Sequence, residues 1–317
     1  MTFAAAMLIA LAIDALFGWP PWLYARIGHP VTWIGRLIAS LDRRWNVATA
    51  TASVRRAAGV GTALSVIAIT VAVAATLAAA LPDDWSGSVL AGVLAWPLVA
   101  GRSLHDHVAA VATPLSAGDL DAARSAVAMI VGRDPQHLDP AGVSRAALES
   151  LAENSSDGIV APLLWGAILG LPGIAAYKAI NTMDSMIGHH TPRHQVFGWA
   201  AARIDDAANL LPARLTGGLL AFSSSQVGPS LASMWRDAHR HRSPNAGWPE
   251  AAMAGALGVR LSGPRIYGDR ISDEPWINHA ARDPEAADLS KGLALYRRAM
   301  LVLGVILAVW ATLATVG

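Results

Sequence analysis

Long apolar runs without charge alternate with short, densely polar clusters along this chain. Residues 57–81 carry no charged side chain, enough helix to cross a hydrocarbon core of about 30 Å. Residues 299–317 form a second uncharged run, 85–101 a third at the short end of spanning length, and 1–17 a fourth interrupted only by Asp14. The last lacks a basic flank and a small-residue cleavage pattern, so it reads as a membrane helix rather than a signal peptide. Nothing alternates apolar and polar for long enough to read as a strand. The pattern predicts an all-α, polytopic helical membrane protein with about four to six membrane segments.

Residues 158–177 are apolar and of spanning length, yet they contain Pro162, Pro172 and glycines 158, 166, 170 and 173. Irregular backbone at membrane depth is tolerated only when protein or a cavity surrounds it. We therefore expect a broken or re-entrant segment. It would keep Glu153 and Asp157, before it, on the same side as Lys178 and Asp184, after it.

Charge sets the orientation. Residues 18–56 carry Arg26, Arg36, Arg43, Arg44, Arg55 and Arg56 against the single acid Asp42, whereas 82–85 carry Asp83 and Asp84 and no base. By the positive-inside rule the first loop faces the cytoplasm and the second faces outward. Arg297 and Arg298 bring the chain back to the cytoplasmic face before the last span. A multi-pass protein of the cell's inner (plasma) membrane follows, with its polar active-site region facing the cytoplasm. The expected division is 1–101 (N-terminal membrane helices and a basic loop), 102–298 (the catalytic region, with the embedded segment near 158–177) and 299–317 (the C-terminal membrane helix). Composition agrees: 15% of the 317 residues are charged and 54% hydrophobic, against about 25% charged in an ordinary soluble domain. The formal net charge of +1 gives no sign of a nucleic-acid partner. The absence of cysteine removes disulfides and thiolate chemistry.

Four polar islands remain as candidate chemistry: Gly132-Arg133-Asp134, residues 153–158, residues 178–185, and residues 203–209 with Arg214 beyond. On a helix Asp205 and Asn209 share a face beside Asp206, and hard oxygen ligands of this kind suit Mg²⁺ together with substrate phosphates. Asn181 and Asp184 offer a second oxygen-rich edge. Arg133, Lys178, Arg203 and Arg214 supply the charge that phosphate groups need. Ionisable groups beside membrane segments are costly, which favours function. Plainer readings stand beside these. Asp205 could be a structural partner of Arg203 or Arg214, and Glu149 a helix-surface partner of Arg145. Asn154 with Ser155 and Ser156 could be a capping turn or a sequon. Asp14 could be either a snorkelling acid or a site residue. The His105/His107 and His189/His190/His194 spacings lack the accompanying acid of a zinc helix. The twelve tryptophans suit membrane interfaces.

The islands, quoted whole, resemble the motifs of the adenosylcobinamide-phosphate synthase family of membrane-bound cobalamin-biosynthesis proteins. The matching stretches are "DALFGWP", "HPVTWIGRLI", "GRDPQHL", "SRAALESLAENSSDGIVAPLLW", "YKAINTMDSMIGH", "FGWAAARIDDAANLLPARLT" and "SPNAGWPEAAMAGALGVRLSGP". They occupy residues 14–267 in the family's order. The resemblance implies an ATP- and Mg²⁺-dependent amide ligation, joining a propionate of adenosylcobyric acid to (R)-1-amino-2-propanol O-phosphate or a related amino alcohol. It also makes corrinoid-pathway enzymes or a second copy of the chain conceivable partners within the lipid. On that reading Glu153, Asp157, Asp184 and Asp205 are the catalytic candidates. Asp157, Asp184, Asp205, Asp206 and Asn209 are the Mg²⁺ candidates. Arg133, Asn154, Lys178, Asn181, Arg203 and Arg214 would hold substrate and phosphate. A membrane prenyltransferase using Asp205-Asp206-x-x-Asn209 and Asn181-x-x-Asp184 as diphosphate motifs is the rival enzyme class. A transporter is the rival outside enzymes, but the chain lacks the internal repeat that transporter folds show.

Overall fold

The computed structural model describes residues 2–131, 135–189, 191–267, 270–272 and 274–316. Fourteen α-helices occur among them. They are α1 (Phe3–Phe17), α2 (Pro21–Ile27), α3 (Pro30–Trp45), α4 (Ala52–Ala79), α5 (Trp85–Ala95), α6 (Gly101–Ser116), α7 (Leu120–Val127), α8 (Pro140–Ser155), α9 (Ala161–Ile187), α10 (Trp199–Ala208), α11 (Leu210–Ser223), α12 (Val227–Asp237), α13 (Gly247–Leu257) and α14 (Ala286–Val316). Strand is confined to two short antiparallel pairs: β1 (Leu261–Ser262) with β4 (Trp276–Ile277), and β2 (Arg265–Tyr267) with β3 (Arg270–Ser272). The protein is an all-α, polytopic membrane protein. Four helical runs are long and apolar enough to cross a membrane, or five if α1 and α2, bent by 112°, form one span.

Several helix starts follow from local sequence. Asp139 caps α8 by accepting from the Gly142 N–H at 2.7 Å, with Pro140 in the first turn, as the Asp-Pro pair predicts. His29 caps α3 in a reciprocal box with Thr32.

The chain forms two compact units that interleave in sequence: residues 1–100, 161–209 and 306–317 in one, 101–160 and 210–305 in the other. The division expected from sequence put 161–209 with the second group. In the first unit α3, α4, α9 and α10 enclose a core of Ile38, Ala63, Val66, Ala179, Met183, Ile187, Phe197, Ala200 and Ala201. The opposite sides of α4 keep Leu64, Ile69, Val73 and Leu77 exposed, a surface suited to lipid. In the second unit α13 packs on α8, α11 and α12, with β1 against α8.

The segment 158–177 folds as a hairpin. Gly170 takes φ 68°, ψ −154° inside α9, a conformation open to glycine and strained for other residues. A Cβ at Gly173 would collide with the Trp165 carbonyl, and one at Gly166 would press on Ile174 and Met7. In a straight helix residues 165 and 173 would lie about 12 Å apart. Before the turn, 158–169 are twelve uncharged residues, about 18 Å of helix, so the run 140–187 reaches spanning length only by counting across its break. The limb after it reaches Lys178 within eight residues.

Candidate active site

The returning limb of α9 and the short helix α10 gather the third and fourth polar islands. Asp205 is buried at 9% exposure and Asn209 at 1%. The Asn209 amide donates to Asp205 Oδ2 at 3.0 Å, and the buried Tyr177 hydroxyl donates to Asn209 Oδ1 at 2.8 Å. Asn209 thus spends its amide positioning Asp205 and tying α10 to α9. The indole of Trp165, on the other limb of the hairpin, donates to the Ala208 carbonyl at 3.1 Å, fixing the end of α10.

Asp205 Oδ1 is buried with no partner of hydrogen-bond geometry, although Asn181 stands close enough to favour the charged carboxylate. Burial pushes the Asp205 carboxyl up to about 7, with the nearby charges of Asp184 and Asp206 adding to the rise and the Asn209 hydrogen bond opposing it. A carboxyl in that state near neutral pH is suited to receive a proton or a cation. Gly188 leaves space for Asp184: a Cβ there would strike the Asp184 carboxylate. This packing explains why glycine stands where an extended aspartate motif would place another acid, and it weakens the prenyl-diphosphate reading.

Arg203 pairs with Asp206 at 3.2 Å on an exposed face. Lys178 is buried at 8% exposure one turn before Asn181. Its charge acts on His29, whose imidazole is held below its ordinary pKa first by burial and then by Lys178. His29 Nδ1 accepts from the Val31 N–H at 3.2 Å, so the neutral ring carries its proton on Nε2. Trp19 packs edge-on against this ring at 4.9 Å and touches Trp96 at 5.3 Å. His29 and Trp19 were not singled out from the sequence. Their visible signal was position within "DALFGWP" and "HPVTWIGRLI".

In the other unit, Glu153 and Asn154 are exposed at the end of α8 and Asp157 is half-exposed. Asp157 lies on a π-helical turn, Ser156–Val160, a backbone form frequent at functional sites. Asn154 donates to the Ser150 carbonyl at 2.9 Å, and Ser155 to that of Leu151 at 2.6 Å. The helix carrying Arg214, α11, packs against the π turn. Arg214 donates to the Leu210 carbonyl at 2.6 Å and to Asn245 at 3.3 Å, and lies 4.5 Å from the Trp248 ring. Glu149 is buried and accepts from the Ser262 N–H at 2.7 Å. Arg145 donates to Asp283 at 2.5 Å, so the surface pairing expected for these two is replaced by long-range contacts. Arg133 lies outside the described residues.

Among the described residues no three His, Asp or Glu side chains gather around a common point for a metal ion. Mg²⁺ needs no such cage, because one or two carboxylates with substrate phosphates and water suffice. The buried, unsatisfied Asp205 oxygen near a second carboxylate fits that pattern.

A family profile described as CobD/Cbib protein matches residues 7–296. The chain belongs to the CobD/Cbib family. Among curated relatives of the family, a "Cobalamin biosynthesis protein CobD" from Rhodobacter capsulatus is 63% identical, over 98% of this chain and 99% of its own. One from a Sinorhizobium species is 46% identical over 97% and 98%, and one from Brucella anthropi 45% over 95% and 94%. No solved structure matches the chain.

Proposed function

We propose that this CobD/Cbib family member acts in cobalamin biosynthesis as an ATP- and Mg²⁺-dependent ligase, joining adenosylcobyric acid to an amino alcohol phosphate at the cytoplasmic face of the inner membrane. The relatives' shared role in cobalamin biosynthesis supports the pathway. The observation that carries the ligase reading is Asp205: a buried carboxyl with one oxygen outside any hydrogen bond of good geometry, close enough to Asp184 for the two charges to repel.

In the reaction, a propionate oxygen of the corrinoid attacks the γ-phosphorus of ATP, and ADP leaves. The amine then attacks the acyl carbon, phosphate departs, and one proton must be taken from the nitrogen. When bound, Mg²⁺ supplies charge neutralisation at the nucleotide phosphates. Asp184 and Asp205 would hold it, with Asp206 beside them and Asn209 setting the Asp205 rotamer. Whichever of Asp184, Asp205 and Glu153 is left off the metal would accept the amine proton. Lys178 with the Nε2–H of His29, Arg203 and Arg214 would bind phosphate oxygens, as would Arg133. Asn181, Glu153 and Asn154 would orient substrates, and Asp157 on its π turn is a further metal or proton-transfer group.

The test is amide formation and ATP consumption by purified, folded protein, with each substrate omitted in turn. ATP should be consumed only when corrinoid acid and amino alcohol phosphate are both present. Asp205→Asn and Asp184→Asn should each lower the rate by roughly 100-fold or more, the scale of removing one preorganised electrostatic group. Near-normal synthesis in Asp157→Asn, Asp205→Asn and Asp206→Asn together would overturn the carboxylate assignment. Diphosphate release from a prenyl diphosphate would overturn the reaction class.

A further inference from the structure

The stretch from the end of α1 through the first turns of α4 carries six arginines and one acid. The fold separates those charges by role. Asp42 is turned inward: it accepts from Arg193 at 2.6 and 3.1 Å and from Asn46 at 2.8 Å. Arg55 is also committed, donating to Asn46 Oδ1 at 3.0 Å and to the Arg193 carbonyl. Five arginines remain on the outside, namely Arg26, Arg36, Arg43, Arg44 and Arg56.

Their arrangement follows from helix geometry. α3 buries Ile38 and packs Ile34, Leu37 and Leu41 on the core. Its opposite stripe is Trp33, Arg36, Ser40 and Arg43, spaced three to four residues apart, with Arg44 four beyond Ser40, all exposed. α2 buries none of its residues and turns 112° away from α1, showing Trp22, Tyr24 and Arg26. Arg26 lies 5.8 Å from the Trp22 ring and Arg56 lies 5.4 Å from that of Trp199. Arg56 stands at the start of α4, whose following apolar run is of spanning length and leaves Leu64, Ile69, Val73 and Leu77 exposed, so a membrane around that run would bring its headgroup level to this belt. Indole rings prefer the headgroup level, and guanidinium forks match phosphate oxygens in pairs.

We propose that residues 19–56, with Trp199, form a binding surface for anionic phospholipid headgroups, in which Arg36, Arg43 and Arg44 hold the phosphates and Trp22, Trp33 and Trp199 anchor at the acyl boundary. The surface has no exposed acid to compete, because the segment's one carboxylate is consumed within the fold. This inference stands apart from the ligase reading and needs no substrate.

The experiment is the thermal midpoint of the full chain in phosphatidylcholine nanodiscs with and without phosphatidylglycerol. Phosphatidylglycerol should raise the midpoint, and salt that shortens the Debye length to a few ångström should abolish the rise. Arg36→Gln/Arg43→Gln/Arg44→Gln should lose about half or more of the rise, keeping Arg26, Arg55 and Arg56 to preserve insertion. Arg297→Gln/Arg298→Gln, an equally exposed basic pair in α14, should keep it. Equal midpoints in the two lipids would overturn the proposal, as would equal losses in both variants. If the triple variant does not fold, the salt response of the wild-type chain decides: a rise that persists at high salt overturns the proposal.

Discussion

Asp205 and Asp283 are both aspartates fixed by tertiary structure, and their surroundings are opposite. Asp283 lies between Arg145 and Arg260, which also flank the Trp276 ring at 4.6 and 4.2 Å. Hydrogen bonds, first from Arg260 and then from Arg145, hold its carboxyl down at about 2, with burial opposing. Asp205 has an amide on one oxygen, nothing of hydrogen-bond geometry on the other, and a second carboxylate nearby. The first arrangement pairs both carboxylate oxygens with guanidinium groups and, through Arg260 and Trp276, ties β1 and β4 to α8. The second is incomplete, and incompleteness in a buried polar cluster marks a place where something else binds or where protons move.

Stability measurements can break this contrast. The largest effect belongs to Asp205→Asn. A carboxyl raised in the folded state costs nothing well below 3.8, where both states are protonated, little at pH 4, and its full penalty appears above pH 7. The distance from 3.8 to about 7 corresponds to about 4 kcal/mol at most. Thermal melts in chelator should therefore show the variant matching wild type at pH 4 and melting higher at pH 8. A variant that melts lower at pH 8 would mean Asp205 is already paired, and the contrast would fail. Asp283→Asn should act in the opposite direction and more weakly. Its stabilisation is present above pH 4 and lost as pH falls towards 2. With Asp283 39% and Arg260 32% exposed, solvent screening reduces it to about 1 kcal/mol. A lower melting temperature at pH 7 that vanishes on acidification is the expected result, with specific activity retained. Smallest is Glu149→Gln, which keeps an oxygen for the Ser262 N–H. It should cost under about 1 kcal/mol and leave amide synthesis intact. A large loss of activity there would move the chemistry towards the region around Asp283.

The membrane segments were legible because length and lack of charge are local properties. The hairpin was half legible: its glycines and prolines announced irregularity, while the turn at Gly170 needed the contact between Trp165 and Gly173. Asn181 with Asp184, and Asp205 with Asn209, could be paired because three- and four-residue spacings fix a helix face, whereas bringing the two pairs together needed the packing of α10 on α9. The partner of Asn209 could not be read, since Tyr177 lies 32 positions earlier and its hydroxyl carries no periodic signal. Glu149 looked like a surface acid for the same reason, its acceptor role depending on Ser262, 113 residues away. The interleaving of the two units is likewise a matter of long-range packing, which hydropathy along the chain does not encode.

The hairpin of α9 bears on how the protein is made. A nascent hairpin with a glycine-broken tip cannot rest in lipid by itself, because the tip exposes backbone groups that no neighbouring turn satisfies. At Gly170 the wall is the Phe3 ring, at Gly166 it is Met7, and α4 lines the second limb. All of these lie upstream and leave the ribosome first. The order of elements along the gene is thus also an order of assembly, in which the walls of the hairpin are synthesised before the hairpin itself.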